Sequence, residues 1–153
     1  MTHTRDLLRA RYANSFEQSG SFALEQANPV LDTILAHRSV RAFLDEPLPD
    51  GTLETLVAAG QSASSSSNLQ VWSVVAVQDV ARKQRLAALA GGQQHILEAP
   101  LFLAWLVDLS RLARLAERAQ RPAEGLHYLD TFLMGAIDAA LAAQSAVIAA
   151  ESL

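Results

Sequence analysis

Val71-Trp72-Ser73-Val74-Val75-Ala76-Val77 is almost unbrokenly apolar and rich in β-branched residues. That composition predicts a strand buried on both faces rather than an amphipathic helix. Pro100-Leu101-Phe102-Leu103-Ala104-Trp105-Leu106-Val107 repeats the pattern and predicts a second buried strand. Between the two, Val80 to Leu89 reads as a helix with Lys83 and Arg85 exposed, closed by Gly91-Gly92, and Gln93 to Glu98 as a short helical piece.

Upstream of the first strand, Ala63-Ser64-Ser65-Ser66-Ser67-Asn68 is a run of small polar side chains that compete for backbone hydrogen bonds, and so predicts a loop at the strand's entrance. Before it, Pro47-Leu48-Pro49-Asp50-Gly51 is a turn, and Asp50 or Thr52 is placed to cap a helix that ends near Gly60. Asn28-Pro29 predicts a cap and first turn for a helix running to about His37. Arg5 to roughly Gln18 reads as an amphipathic helix broken by Ser19-Gly20-Ser21. Downstream, Asp108 to Gln120 predicts a charged amphipathic helix. Glu124 to about Ser152 predicts one long helix with apolar or small side chains on nearly every face, suited to a packed interior or a subunit interface.

Composition removes several classes of function. The chain has 153 residues, enough for one domain with a core, and half of them are hydrophobic, which excludes a disordered tail. A formal net charge of -4 gives no general attraction for nucleic acid or anionic lipid. The absence of cysteine excludes disulfides, thiolate catalysis and cysteine-zinc sites. His3, His37, His95 and His127 lack metal-ligand spacing, so no metal site is expected. Residues 1–26 contain no signal-peptide core, and Asp138, Gln144 and Glu151 interrupt the most apolar stretch, leaving no uncharged run near the roughly 18 residues of a membrane span. A soluble, cytoplasmic protein is the expectation.

The chemistry concentrates in His37-Arg38-Ser39-Val40-Arg41, at a helix end. Two planar guanidinium forks and a short hydroxyl at this spacing can converge on one set of ligand oxygens, as an anion grip does. The same residues could instead complement the negative end of a helix dipole.

Three segments taken together carry a resemblance. They are His37-Arg38-Ser39-Val40-Arg41-Ala42-Phe43 followed by Asp45-Glu46-Pro47, Ala63 to Trp72, and Gly91-Gly92-Gln93-Gln94-His95; Ala143 to Leu153 supports them. In order and separation they resemble the nitroreductase family of FMN-dependent oxidoreductases, in particular its larger NADPH-dependent flavin reductase and nitroreductase group, from about Pro29 onward. The resemblance implies an α+β fold with a mainly antiparallel sheet wrapped by helices, and a homodimer that shares two FMN sites. It also implies hydride transfer from NADPH or NADH to FMN, then on to a nitroaromatic, quinone or flavin acceptor. The flavin carries the redox chemistry and the protein supplies position and electrostatics.

Carried onto this chain, the resemblance gives Arg38 and Arg41 the FMN phosphate and neighbouring ribityl oxygens, with His37 and Ser39 adding hydrogen bonds. Ser65, Ser66 and Asn68 are expected to approach the flavin from the partner subunit, and Gln93 to lie near the ring or ribityl chain. No residue is assigned as a general acid or base. Trp72 and Trp105 are expected in the core, and Gln70 is either a flavin neighbour or, the favoured reading, the first polar residue of a strand. Family members usually continue well beyond the alanine-rich helix, so the expectation here is residues 1–26 as an N-terminal extension and residues 27–153 as the N-terminal portion of the domain. Uncovered strand edges and helix faces are then expected to be compensated in part by dimerisation through the long helix or by a separate chain supplying the other half. The alternative reading is an inactive remnant that keeps only an association role.

Overall fold

The two apolar runs pair with each other. In the computed structural model, which describes residues 4–12 and 28–153, β1 (Trp72–Val77) and β2 (Phe102–Val107) form an antiparallel two-stranded sheet. Its register sets Trp72 opposite Val107 and Val74 opposite Trp105, and Asp108 N donates to Val71 O at 2.9 Å, extending the ladder by one bond. Alternation puts Trp72, Val74, Trp105 and Val107 on one face. The rings of Trp72 and Trp105 lie 5.2 Å apart, tilted by 47°.

Helices cover that face. Helices α3 (Thr52–Gln61) and α7 (Leu129–Ser152) lie against it through glycines. A Cβ on Gly60 would come within 2.7 Å of the Trp105 ring, and one on Gly135 within 2.7 Å of Val107 Cγ1. Gly60 therefore makes room for an indole in the last turn of α3, which ends at Gln61, near Gly60 as the sequence predicts. On the opposite face Val75 and Leu106 stay 45% and 46% exposed, so the strands are not buried on both faces as their composition predicts.

Local chemistry explains most helix ends. Asn28 Oδ1 accepts from Val30 N at 2.9 Å, and Pro29 opens α2 (Pro29–Ala36). At α3 neither Asp50 nor Thr52 caps with its side chain; Gly51 holds the cap position at φ 81°, and the Thr52 hydroxyl donates back to Pro49 O at 2.7 Å. Asp79 caps α4 (Val80–Leu89) by accepting from Arg82 N at 2.8 Å. Gly91 and Gly92, both near φ 78°, reverse the chain before α5 (His95–Glu98). Asp108 accepts from Ser110 N at the start of α6 (Ser110–Arg118).

Two expectations change. The predicted helix over residues 124–152 divides into a 3-10 turn at Glu124–His127 and α7. Lys83, expected on the surface of α4, is 6% exposed, and its Nζ donates to Leu97 O at 2.9 Å and Ala99 O at 2.7 Å. The lysine thus satisfies carbonyls at the end of α5 and pins α4 to it.

The described residues fall into two compact units, one reaching to Ser39 together with Ala150–Leu153, the other Val40–Ala149. In the first, α1 (Thr4–Tyr12) packs on α2, and the buried Thr4 hydroxyl donates to Asp32. The remainder of the predicted helix beyond Tyr12, and its break at Ser19-Gly20-Ser21, lie outside the described residues. The second unit holds the sheet, α3 to α6 and most of α7. By length and composition alone α7 could cross a membrane, with mean hydropathy 1.7. Asp138 near its middle is 1% exposed and hydrogen-bonded within the protein.

Candidate functional site

The serine-asparagine segment leaves α3 and reaches β1 by an unusual path. Ser67, Asn68 and Gln70 all take left-handed backbone conformations, at φ 50°, 53° and 51°. Such conformations are unfavourable for residues with a Cβ and persist only where the surroundings over-determine them. The surroundings here are one carboxylate. Asp138 Oδ2 accepts from Ser65 Oγ at 3.0 Å, Asp138 Oδ1 accepts from Ser66 Oγ at 2.9 Å, and the Ser66 N–H is shared between the two oxygens at 3.1 and 3.0 Å.

Ser65 passes this hold outward. Its oxygen accepts from Gln70 N at 2.9 Å, and Gln70 Nε2 donates to Asn68 Oδ1 at 3.1 Å. Arg111 on α6 donates to the Gln70 carbonyl from the other side. The segment and the start of β1 together wall a cleft of about 490 Å3, lined among others by Ser65, Asn68, Gln70, Trp72, Ser73 and Arg111. That volume lies within the range of small-molecule sites. Gln70 therefore precedes the strand and faces the cleft, and Trp72 is half-buried at its wall rather than sealed in the core.

Behind the cleft, the Ser110 and Ser73 hydroxyls donate to Asp108 at 2.6 and 2.5 Å. These bonds hold the Asp108 carboxyl down at about 2, below its ordinary 3.8. The acid locks β1 to the start of α6, and so fixes Arg111 one residue further on.

The basic turn has a different character. His37, Arg38, Ser39 and Arg41 are all exposed. Arg38 Nη1 donates to the carbonyls of Leu35, Ala36 and His37 at 3.3, 3.3 and 2.6 Å, so its guanidinium sits on the negative end of α2. His37 Nδ1 meets Glu151 Oε1 at 2.6 Å. Helix-end complementation and a concentration of cationic donors are thus present in the same turn. Gln93 lies exposed in the turn after Gly92, and is not among the residues lining the cleft.

The structure therefore brings Ser65 and Asn68 to one cleft, with Ser66 fixed behind them. Sequence reasoning passed over Asp138 and Arg111, and favoured a strand position for Gln70 over a place beside the ligand. The available signal was Asp138 itself, since a lone acid inside a long apolar helix requires donors to meet it. No cluster of His, Asp and Glu able to hold a metal occurs among the described residues.

Comparison with known proteins gives the family of the chain. Residues 34–153 match the Nitroreductase family. The chain is 41% identical to the FMN reductase (NADPH) of Bacillus subtilis over 127 residues, covering 82% of this chain and 51% of that protein. It is 37% identical to the oxygen-insensitive NADPH nitroreductase of Salmonella typhimurium, covering 82% and 50%. Among solved structures, B. megaterium NfrA2 superimposes with a TM-score of 0.79 at 40% identity, covering 82% of this chain and 51% of that one. The chain spans about half the length of these relatives. The fold is nitroreductase-like, and α1 lies ahead of the matched region. The chain belongs to the nitroreductase family.

Proposed function

We propose that this chain is part of an FMN-dependent NAD(P)H oxidoreductase that reduces nitroaromatic, quinone or flavin acceptors. The observation that carries the proposal is the cleft of about 490 Å3, walled by a rigidly held polar segment, inside a region matched to a family whose relatives include NADPH-dependent flavin reductases and nitroreductases. When bound, FMN supplies the hydride-accepting and hydride-donating chemistry.

The residues present suit such a ligand. Arg38 and Arg41 offer forked donors for a phosphate, and His37 and Ser39 shorter ones. Arg38 is exposed and held only through carbonyl contacts at a helix end, so its remaining donors can meet phosphate oxygens. Asn68 and Ser65 present polar atoms to a cleft that also contains the Trp72 indole, a combination suited to a flat polar ring system. Gln93 is assigned to the same ligand as an amide that donates and accepts. Residues 1–26 are assigned as an extension ahead of the flavin-binding region of residues 27–153.

The assembly proposed is a homodimer, with Ser65, Ser66 and Asn68 facing the flavin held by the partner's basic turn. Support comes from α7, where Leu133, Ile137 and Leu141 on successive turns remain 51%, 58% and 44% exposed. The same surface favours the second reading, an association role without catalysis.

NADPH and NADH oxidation, measured with FMN and with a quinone or nitrofuran acceptor, separates the two. The oxidoreductase reading expects acceptor-stimulated turnover that Arg38→Ala reduces at least tenfold. Colourless protein that neither quenches FMN fluorescence at micromolar concentration nor oxidises either nucleotide leaves the association role.

A further inference from the structure

Asp138 is 1% exposed and lies near the middle of α7, among Gly135, Ala139 and Ala142, which are themselves buried. It uses both oxygens on one segment. A hydroxyl has one proton to give. Ser65 and Ser66 each direct theirs inward to Asp138, so toward the cleft Ser65 offers lone pairs only. One of those takes the Gln70 N–H. Asn68 accepts from Gln70 Nε2 on its amide oxygen, and its own N–H groups are donors. The carboxylate thus fixes both the shape of the segment and which of its atoms donate.

We infer that Asp138 is the positioning residue of this cleft. By holding Ser65 and Ser66 it sustains the left-handed path through Asn68 and Gln70, and it makes the Ser65 side of the wall an acceptor. At the Ser65 position the wall selects a ligand edge carrying an N–H or O–H donor, such as a flavin imide or a ribityl hydroxyl, and not a phosphate. This specificity rests on the flavin reading above; the hold on the segment does not.

The test compares wild type with Asp138→Asn and Ser65→Ala by amide hydrogen exchange and by FMN fluorescence titration, with inorganic phosphate as competitor. An asparagine keeps one acceptor but forces at least one serine to reverse its hydroxyl. In Asp138→Asn the Ser66 and Gln70 amides are expected to exchange at least tenfold faster, with Val74 of β1 unchanged. FMN affinity is expected to fall at least tenfold while the phosphate inhibition constant moves less than twofold. Ser65→Ala should release the Gln70 amide and leave that of Ser66 protected, which keeps the test decisive if Asp138→Asn does not fold. Unchanged exchange at Ser66 and Gln70 overturns the inference. So does accelerated exchange spread equally to Val74, or an equal loss of FMN and phosphate binding. Wild type that binds no FMN overturns the flavin reading and the ligand specificity, while exchange still decides the hold of Asp138.

Discussion

His37 Nδ1 and Glu151 Oε1, 114 positions apart in the chain, meet at 2.6 Å and join the end of α2 to the last turn of α7. This places one ring nitrogen of the basic turn under a carboxylate and leaves Nε2 for another partner. An acceptor at Nδ1 selects the tautomer that carries its proton there.

Glu151→Gln should therefore alter the ring rather than the fold. The side chains are 48% and 28% exposed, and exposed pairs contribute about 0–1 kcal/mol. The unfolding free energy should change by less than about 1 kcal/mol. Nitrogen NMR of the imidazole should show Nδ1–H in the neutral wild-type ring and a shift toward Nε2–H in the variant. Identical tautomer populations would mean that the contact does not orient His37.

Asp108 gives a pH-dependent prediction whose sign is fixed. Its folded carboxyl titrates near 2 and its unfolded one near 3.8, because Ser110 and Ser73 donate to the charged form. Unfolding then takes up a proton between those values, so this acid's stabilisation is complete above pH 3.8 and disappears as pH falls to about 2. Asp108→Asn should melt below wild type at pH 7, and the difference should shrink as the pH is lowered through that window. A constant difference across the window would remove Asp108 as its source.

Lys83 is the position where helical periodicity misleads. Its Nζ reaches past the surface of α4 to the Leu97 and Ala99 carbonyls. Lys83→Met keeps most of the stem and leaves both acceptors without their donor, which costs about 1–3 kcal/mol. Urea unfolding should show a lower midpoint with an unchanged slope. An unchanged midpoint would show that water replaces the ammonium without loss.

What could be read in advance follows from where the physics is local. The cap at Asn28 and the glycine reversal at 91–92 depend on neighbours within a few positions, and each appears where its sequence places it. Lys83, Gly60 and Asp138 depend on elements distant in the chain. Gly60 marks the end of α3 locally, but its second role, space for the Trp105 ring, needs Trp105 in place, and Asp138 resembles an interruption until the serines reach it. The strands were legible as strands, but their second face remains uncovered at Val75 and Leu106, and strand composition does not say which chain covers it. At the site, residue types pointed to the segment, while the choice of which atoms donate came from Asp138.

Leu133, Ile137 and Leu141 form one stripe along α7, exposed by 51%, 58% and 44%. If the stripe is the proposed dimer seam, Ile137 is buried twice across a two-fold axis, once on each protomer. Burying an isoleucine is worth about 1.5–3 kcal/mol. Ile137→Glu, which also introduces two facing charges, should therefore weaken dimerisation at least about 100-fold. Leu89→Glu on α4, at a residue 86% exposed, is the control for added charge. Sedimentation velocity at micromolar concentration should find wild type and Leu89→Glu as dimers and Ile137→Glu as a monomer with unchanged helical circular dichroism. A dimer in all three proteins would move the seam away from this stripe, and a monomer in all three would remove the homodimer.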